Sequence, residues 1–112
     1  MIKKIVNCYL VLMFMAFAGS ALAGNEGTYN TFYGTGAGTS TSNTGTDYDT
    51  FIGSYAGYLN TGQYNSFIGY QAGYNNTGDG NDFIGNYAGY NNTTGDYNSF
   101  IGYQSGYHNT SG

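Results

Sequence analysis

The chain has 112 residues, of which 19% are aromatic and only 7% charged, with two Lys+Arg against six Asp+Glu. The formal net charge of −4 disfavours nucleic acid and anionic membranes as partners, because both are bound through Lys and Arg. A single cysteine rules out an intrachain disulfide framework of the kind that holds many small secreted domains.

Lys3 and Lys4 open the chain, an apolar run follows over 9–18, and Ala21-Leu22-Ala23 supplies the small-x-small pattern of a cleavage site. This is the layout of a secretory signal peptide, and removal after Ala23 is expected. The apolar run is too short for a bilayer crossing and no charged stop follows it, so stable membrane insertion of the mature chain is not expected. Cleavage would leave 89 residues, the 112 of the chain less the 23 of the leader, with no Lys, Arg, Cys, Met or Val. All six acids (Glu26, Asp47, Asp49, Asp79, Asp82 and Asp96) stay behind, which makes the mature charge −6.

From there one pattern returns to the end of the chain. Phe32, Phe51, Phe67, Phe83 and Phe100 mark five copies at steps of 19, 16, 16 and 17 residues. Rungs therefore begin near 29, 48, 64, 80 and 97. Four copies continue Phe-Ile-Gly, with Ile52, Ile68, Ile84 and Ile101. Each then reaches Ala-Gly or Ser-Gly, followed in those four by Tyr58, Tyr74, Tyr90 and Tyr107. Asn-Thr turns close each unit, at Asn43-Thr44, Asn60-Thr61, Asn76-Thr77, Asn92-Thr93 and Asn109-Thr110. Self-similarity at a fixed period marks a stacked repeat whose units bury apolar surface only against their neighbours.

Gly recurs every few residues while Asn, Thr and Tyr dominate, a composition of strands and turns and not of helices. The expected fold is all-β, a β-roll or β-helix solenoid of about five rungs with roughly two short strands in each. In Ser66-Phe67-Ile68 successive side chains face opposite ways, so the strand offers one apolar residue to each face. One face would fill the rung's own core and the other would meet a second chain or sheet. Tyr74 to Thr77 would supply the second short strand, and the Asn-Thr turns would line one edge as a polar column. The Ser/Thr-rich stretch 39–42 reads as a larger surface loop or an imperfect capping rung, and the repeats stop at Gly112 inside a turn, as in a truncated or uncapped stack.

These residues resemble the head repeats of trimeric autotransporter adhesins and related fibre proteins. The likeness rests on Asn65-Ser66 with Ile68-Gly69 and Ala72, on Asn98-Ser99 with Ile101-Gly102 and Ser105, and on Asp49-Thr50 with Ile52-Gly53 and Ala56. The resemblance implies a left-handed parallel β-roll, a homotrimer, and attachment to host, matrix or glycan surfaces.

Little in the sequence supports catalysis. His108 is the single histidine, it lies in the last turn, and no serine occupies a Gly-x-Ser-x-Gly elbow. Gly78-Asp79-Gly80-Asn81-Asp82 is similar to part of a calcium-binding β-roll turn, which makes Asp79 and Asp82 weak Ca²⁺ candidates. No catalytic or cofactor-binding residue is assigned. The tyrosines 58, 74, 90 and 107 form a candidate binding surface, since each combines an apolar ring face with a polar hydroxyl. The sequence therefore reads as an exported, non-enzymatic adhesin head or fibre segment at the cell surface. An amyloid-like matrix protein and a Ca²⁺- or glycan-binding module are the alternatives.

Overall fold

The computed structural model describes residues 29–39 and 47–112. The leader 1–23, most of the Ser/Thr-rich stretch and Asn43-Thr44 lie outside the described residues. Five strands, β1 (Thr31–Tyr33), β2 (Thr50–Ile52), β3 (Ser66–Ile68), β4 (Asp82–Ile84) and β5 (Ser99–Ile101), form one sheet in the order β1-β2-β3-β4-β5. Every neighbouring pair is parallel, with Phe32, Phe51, Phe67, Phe83 and Phe100 in one register row. Parallel neighbours need a crossover of about a dozen residues or more. The segments 53–65 and 69–81 meet that need without a helix, so the chain winds as a β-solenoid, one turn per repeat.

The alternation inferred from the sequence holds, and the structure fixes its sense. Phe51, Phe67 and Phe83 are fully buried, and the five rings form a continuous stack with centroids 4.9, 4.8, 4.8 and 5.0 Å apart. That spacing is the rise between neighbouring strands, about 4.8 Å, so each ring rests on the one before it. Ala37, Ala56, Ala72 and Ala88 complete the apolar half of the interior. After each comes a glycine on which the ring lies: a Cβ on Gly73 would stand 2.3 Å from the Phe67 ring.

The other half of the interior is amide. Asn60, Asn76 and Asn92 form one buried column, and Asn65 and Asn81 belong to a second, in which Asp49 takes the place of an asparagine. In the first, each side-chain Nδ2 donates to the Oδ1 of the previous rung: Asn76 to Asn60 at 2.7 Å, Asn92 to Asn76 at 2.6 Å and Asn109 to Asn92 at 2.7 Å. In the second, each Oδ1 accepts the backbone N–H of its successor: Asn65 accepts from Asn81 at 2.8 Å and Asn81 from Asn98 at 2.9 Å. Asn81 Nδ2 also donates to Asn76 Oδ1 at 3.3 Å, which ties the columns together. Buried amides are tolerated because these partners satisfy them.

Two local expectations are corrected. The Asn-Thr pairs do not form an edge column, since the asparagine turns inward while Thr61 and Thr77 remain exposed. Residues 74–77 are not a second strand, although Leu59 N–H donates to Tyr74 O at 2.8 Å and Asn75 N–H to Tyr90 O at 2.9 Å. Each rung thus has one strand of three residues, and backbone bonds between rungs continue around the turn. The turns place Tyr55, Gln71, Tyr87 and Gln104 at φ between +54° and +61°, where Gly36 stands in the first copy. This left-handed conformation costs a side-chain-bearing residue about 1–2 kcal/mol, and in each case a ladder bond from its N–H to the preceding rung holds it.

Glycine after the strand is required by the close approach of neighbouring backbones. Gly69 has φ +138°, and a Cβ on it would lie 2.5 Å from the carbonyl oxygen of Gly85. Gly69→Ala is expected to lower the unfolding free energy by about 2–3 kcal/mol, because neither backbone can withdraw without loosening β3 from β4. Urea unfolding followed by far-UV circular dichroism measures this, and an unchanged midpoint would contradict the packing.

Candidate interaction surface

With Phe turned inward, the residues on either side of it face out. Thr31, Thr50, Ser66, Asp82 and Ser99 make one outer row along the sheet, and Tyr33, Ile52, Ile68, Ile84 and Ile101 make a second. Ile52 and Ile68 are each 39% exposed, Ile84 42% and Ile101 74%. An unbroken line of isoleucine at strand spacing is an apolar stripe, whereas isolated surface apolar residues are ordinary. Asp82 is the one carboxylate in these two rows. The structure thus places all nine residues of the expected Phe and Ile ladders, five inside and four outside.

The tyrosines 58, 74, 90 and 107 form the expected column, with ring centroids 5.1, 5.0 and 4.9 Å apart. Their faces cover one another, so the column presents ring edges and hydroxyls to solvent. Tyr55 meets Tyr58 edge-on at 5.4 Å, and Tyr87 meets Tyr70 edge-on at 5.3 Å and Tyr103 at 6.3 Å. Loss of hydration, reinforced by the neighbouring tyrosines, raises the Tyr87 and Tyr90 hydroxyls above their ordinary value. Both stay neutral at physiological pH.

Asp79 and Asp82 are not part of any group of three or more potential metal ligands among the described residues. Asp79 Oδ1 accepts the Gln63 N–H at 2.8 Å, and Asp96 Oδ1 accepts the Asp79 N–H at 2.8 Å. These carboxylates therefore pin one turn to the next, while Asp82 stands on the outer face of β4. His108 is exposed and packs edge-on against Tyr107 at 4.6 Å.

A titrating group that sequence reasoning passed over lies inside. Asp49 is fully buried in the asparagine column, where its Oδ1 accepts the Asn65 N–H at 2.8 Å and its Oδ2 accepts from Asn60 Nδ2 at 3.0 Å. Burial pushes its carboxyl up to about 7, against the Asn65 hydrogen bond and with help from the nearby Asp47 carboxylate. Asp47 is itself 8% exposed, and its Oδ2 has no hydrogen-bond partner among the described residues. The signal was an Asp at the position where the other four copies carry Asn30, Asn65, Asn81 and Asn98.

No helix among the described residues is long and apolar enough to cross a membrane. No protein-family model, curated protein or solved structure matches the chain.

Proposed function

We propose that the chain is a non-enzymatic structural and attachment module, exported to the cell surface, whose solenoids associate side by side as a homotrimer through their isoleucine rows. The observation that carries this reading is the exposed line Ile52, Ile68, Ile84 and Ile101 on a sheet whose other face is already filled by phenylalanine. A partner with the same rung height keeps step with that line over its whole length, and a second copy of this chain has that height by construction. The acids also favour such contact, since Asp47, Asp79 and Asp96 stand in the turn preceding the strands and leave only Asp82 in the outer rows. Export is supported by the leader pattern, and attachment by the resemblance to adhesin heads.

The test is a double substitution, Ile68→Asp with Ile84→Asp. Both side chains point outward, so the variant is expected to keep its circular dichroism spectrum and to sediment as a monomer where the parent sediments as a trimer. A variant that keeps the parent's assembled mass would remove the isoleucine rows from the interface. The in-register Phe and Asn ladders favour a second reading, a self-assembling fibre, because such ladders also stabilise cross-β stacks. Seeded, thioflavin-positive fibrils from the parent chain would select it.

A further inference from the structure

The tyrosine that precedes the interior Asn or Asp forms its own outer column, and that column is interrupted once. Tyr29 stacks on Tyr48 with centroids 5.0 Å apart, and Tyr48 on Tyr64 at 5.3 Å. The next register position is Gly80, and the one after it is Tyr97. The backbone ladder runs on without a break, since Gly80 N–H donates to Gln63 O at 2.9 Å and Tyr97 N–H to Asp79 O at 2.9 Å. Only a ring is missing. Two rungs, about 9–10 Å, separate the backbones of Tyr64 and Tyr97.

Several features of this gap point to the same ligand. Tyr64 is 59% exposed and makes no ring contact on its Gly80 side among the described residues, so one aromatic face is open. Tyr97 is 84% exposed and leans across Gly80, where its Cδ1 would lie 2.7 Å from a Cβ on that residue, so a ring enters beside Tyr64 when Tyr97 turns outward and becomes the opposite wall. Gln63, Asp79 and Asp96, all exposed, immediately precede these positions, and the second carboxylate oxygens of Asp79 and Asp96, which the turn N–H groups do not engage, supply acceptors. An open aromatic face rimmed by acceptors suits a ring whose face is C–H and whose edge is hydroxyl. The carboxylates oppose anionic ligands.

We propose that the gap at Gly80 is a binding subsite for a neutral pyranose ring of a glycan, stacked on Tyr64 and walled by Tyr97. The subsite does not depend on the trimer, because Tyr64 and Gly80 lie in the turns before β3 and β4 and not in the isoleucine rows. It also differs from the Tyr58–Tyr107 column, in which each ring stacks on its neighbour with no rung left out.

The test is titration of the ¹⁵N-labelled full chain with cellohexaose, a neutral β-linked glucose chain, read by amide chemical shifts. Saturable shifts are expected at 63–64, 79–80 and 96–97. Gly80→Tyr restores the missing ring; the backbone admits it, because Gly80 has φ +65° where Tyr64 has +61° and Tyr97 +56°, and the exposed Tyr97 ring, 2.7 Å from the new Cβ, turns aside. That variant is expected to keep the parent's spectrum elsewhere and to bind the sugar at least about tenfold more weakly. Tyr64→Ala is expected to do the same, and it decides the matter should Gly80→Tyr fail to fold. Any of three results would overturn the subsite: no saturable shift in the parent, shifts confined to 58, 74, 90 and 107, or unweakened binding by folded variants.

Discussion

Asn76→Ala is expected to lower the unfolding free energy by about 3–5 kcal/mol, a loss usually associated with emptying part of an apolar core. Asn76 Nδ2 donates to Asn60 Oδ1 at 2.7 Å and to Gly78 O at 2.6 Å, while its Oδ1 accepts from Asn92 Nδ2 at 2.6 Å and from Asn81 Nδ2 at 3.3 Å. Alanine removes both ends of this junction at once. The groups left behind are buried, where an unmade hydrogen bond costs about 1–3 kcal/mol and a coupled network loses more than the sum of its pairs. Asn75, the adjacent residue, is half-buried and sends only its backbone into the ladder. Asn75→Ala should stay within about 0.5 kcal/mol of the parent. Urea unfolding of the two variants side by side checks the contrast, and equal losses would mean that Asn76 does not face inward.

The second large effect is a dependence of stability on pH that arises from one carboxyl. The Asp49 pKa is raised from 3.8 to about 7 in the folded chain, chiefly by burial, so the fold favours the protonated acid. Its contribution to stability is complete below about pH 4, is lost as the pH rises toward 7, and is level above that. The loss across this window is expected to be roughly 2–4 kcal/mol. This is the reverse of the common case, in which paired carboxylates make a protein weaker in acid. Asp49→Asn should remove the slope, because the amide that the other rungs carry here does not titrate. Denaturant midpoints taken every half unit between pH 4 and 8 test this, and a parent curve that rises with pH would contradict it.

Much of the fold is legible in the sequence. The recurrence of Phe gives the rungs and their register, and the adjacency of Phe67 and Ile68 shows that they face opposite ways. Strand alternation does not reveal which of the two is inside. That choice depends on the space within the turn, where Gly73 lets a flat ring lie against the backbone and where stacked rings match the rung height. Isoleucine has no flat face for such a stack.

The amide interior was harder to see because hydropathy assigns Asn to surface turns, and here its burial depends on partners sixteen or seventeen residues away. A usable signal was present in the recurrence itself. Asn60, Asn76, Asn92 and Asn109 hold one residue type at one register position, whereas 54, 70, 86 and 103, none of them buried, vary as Ser, Tyr, Asn and Tyr. The outward surfaces are legible as columns, yet the interruption at Gly80 acquires meaning only once Tyr48 and Tyr64 are seen to stack.

The side-chain amide protons of asparagine test the central assignment, Phe and Asn inward with Ile outward, most directly. In hydrogen exchange followed by NMR, the Nδ2 protons of Asn60, Asn76 and Asn92 are expected to be protected by several orders of magnitude relative to those of Asn75 and Asn91. Uniformly fast exchange at all five would place the asparagines in solvent and would contradict both the interior described here and the outer isoleucine face that follows from it.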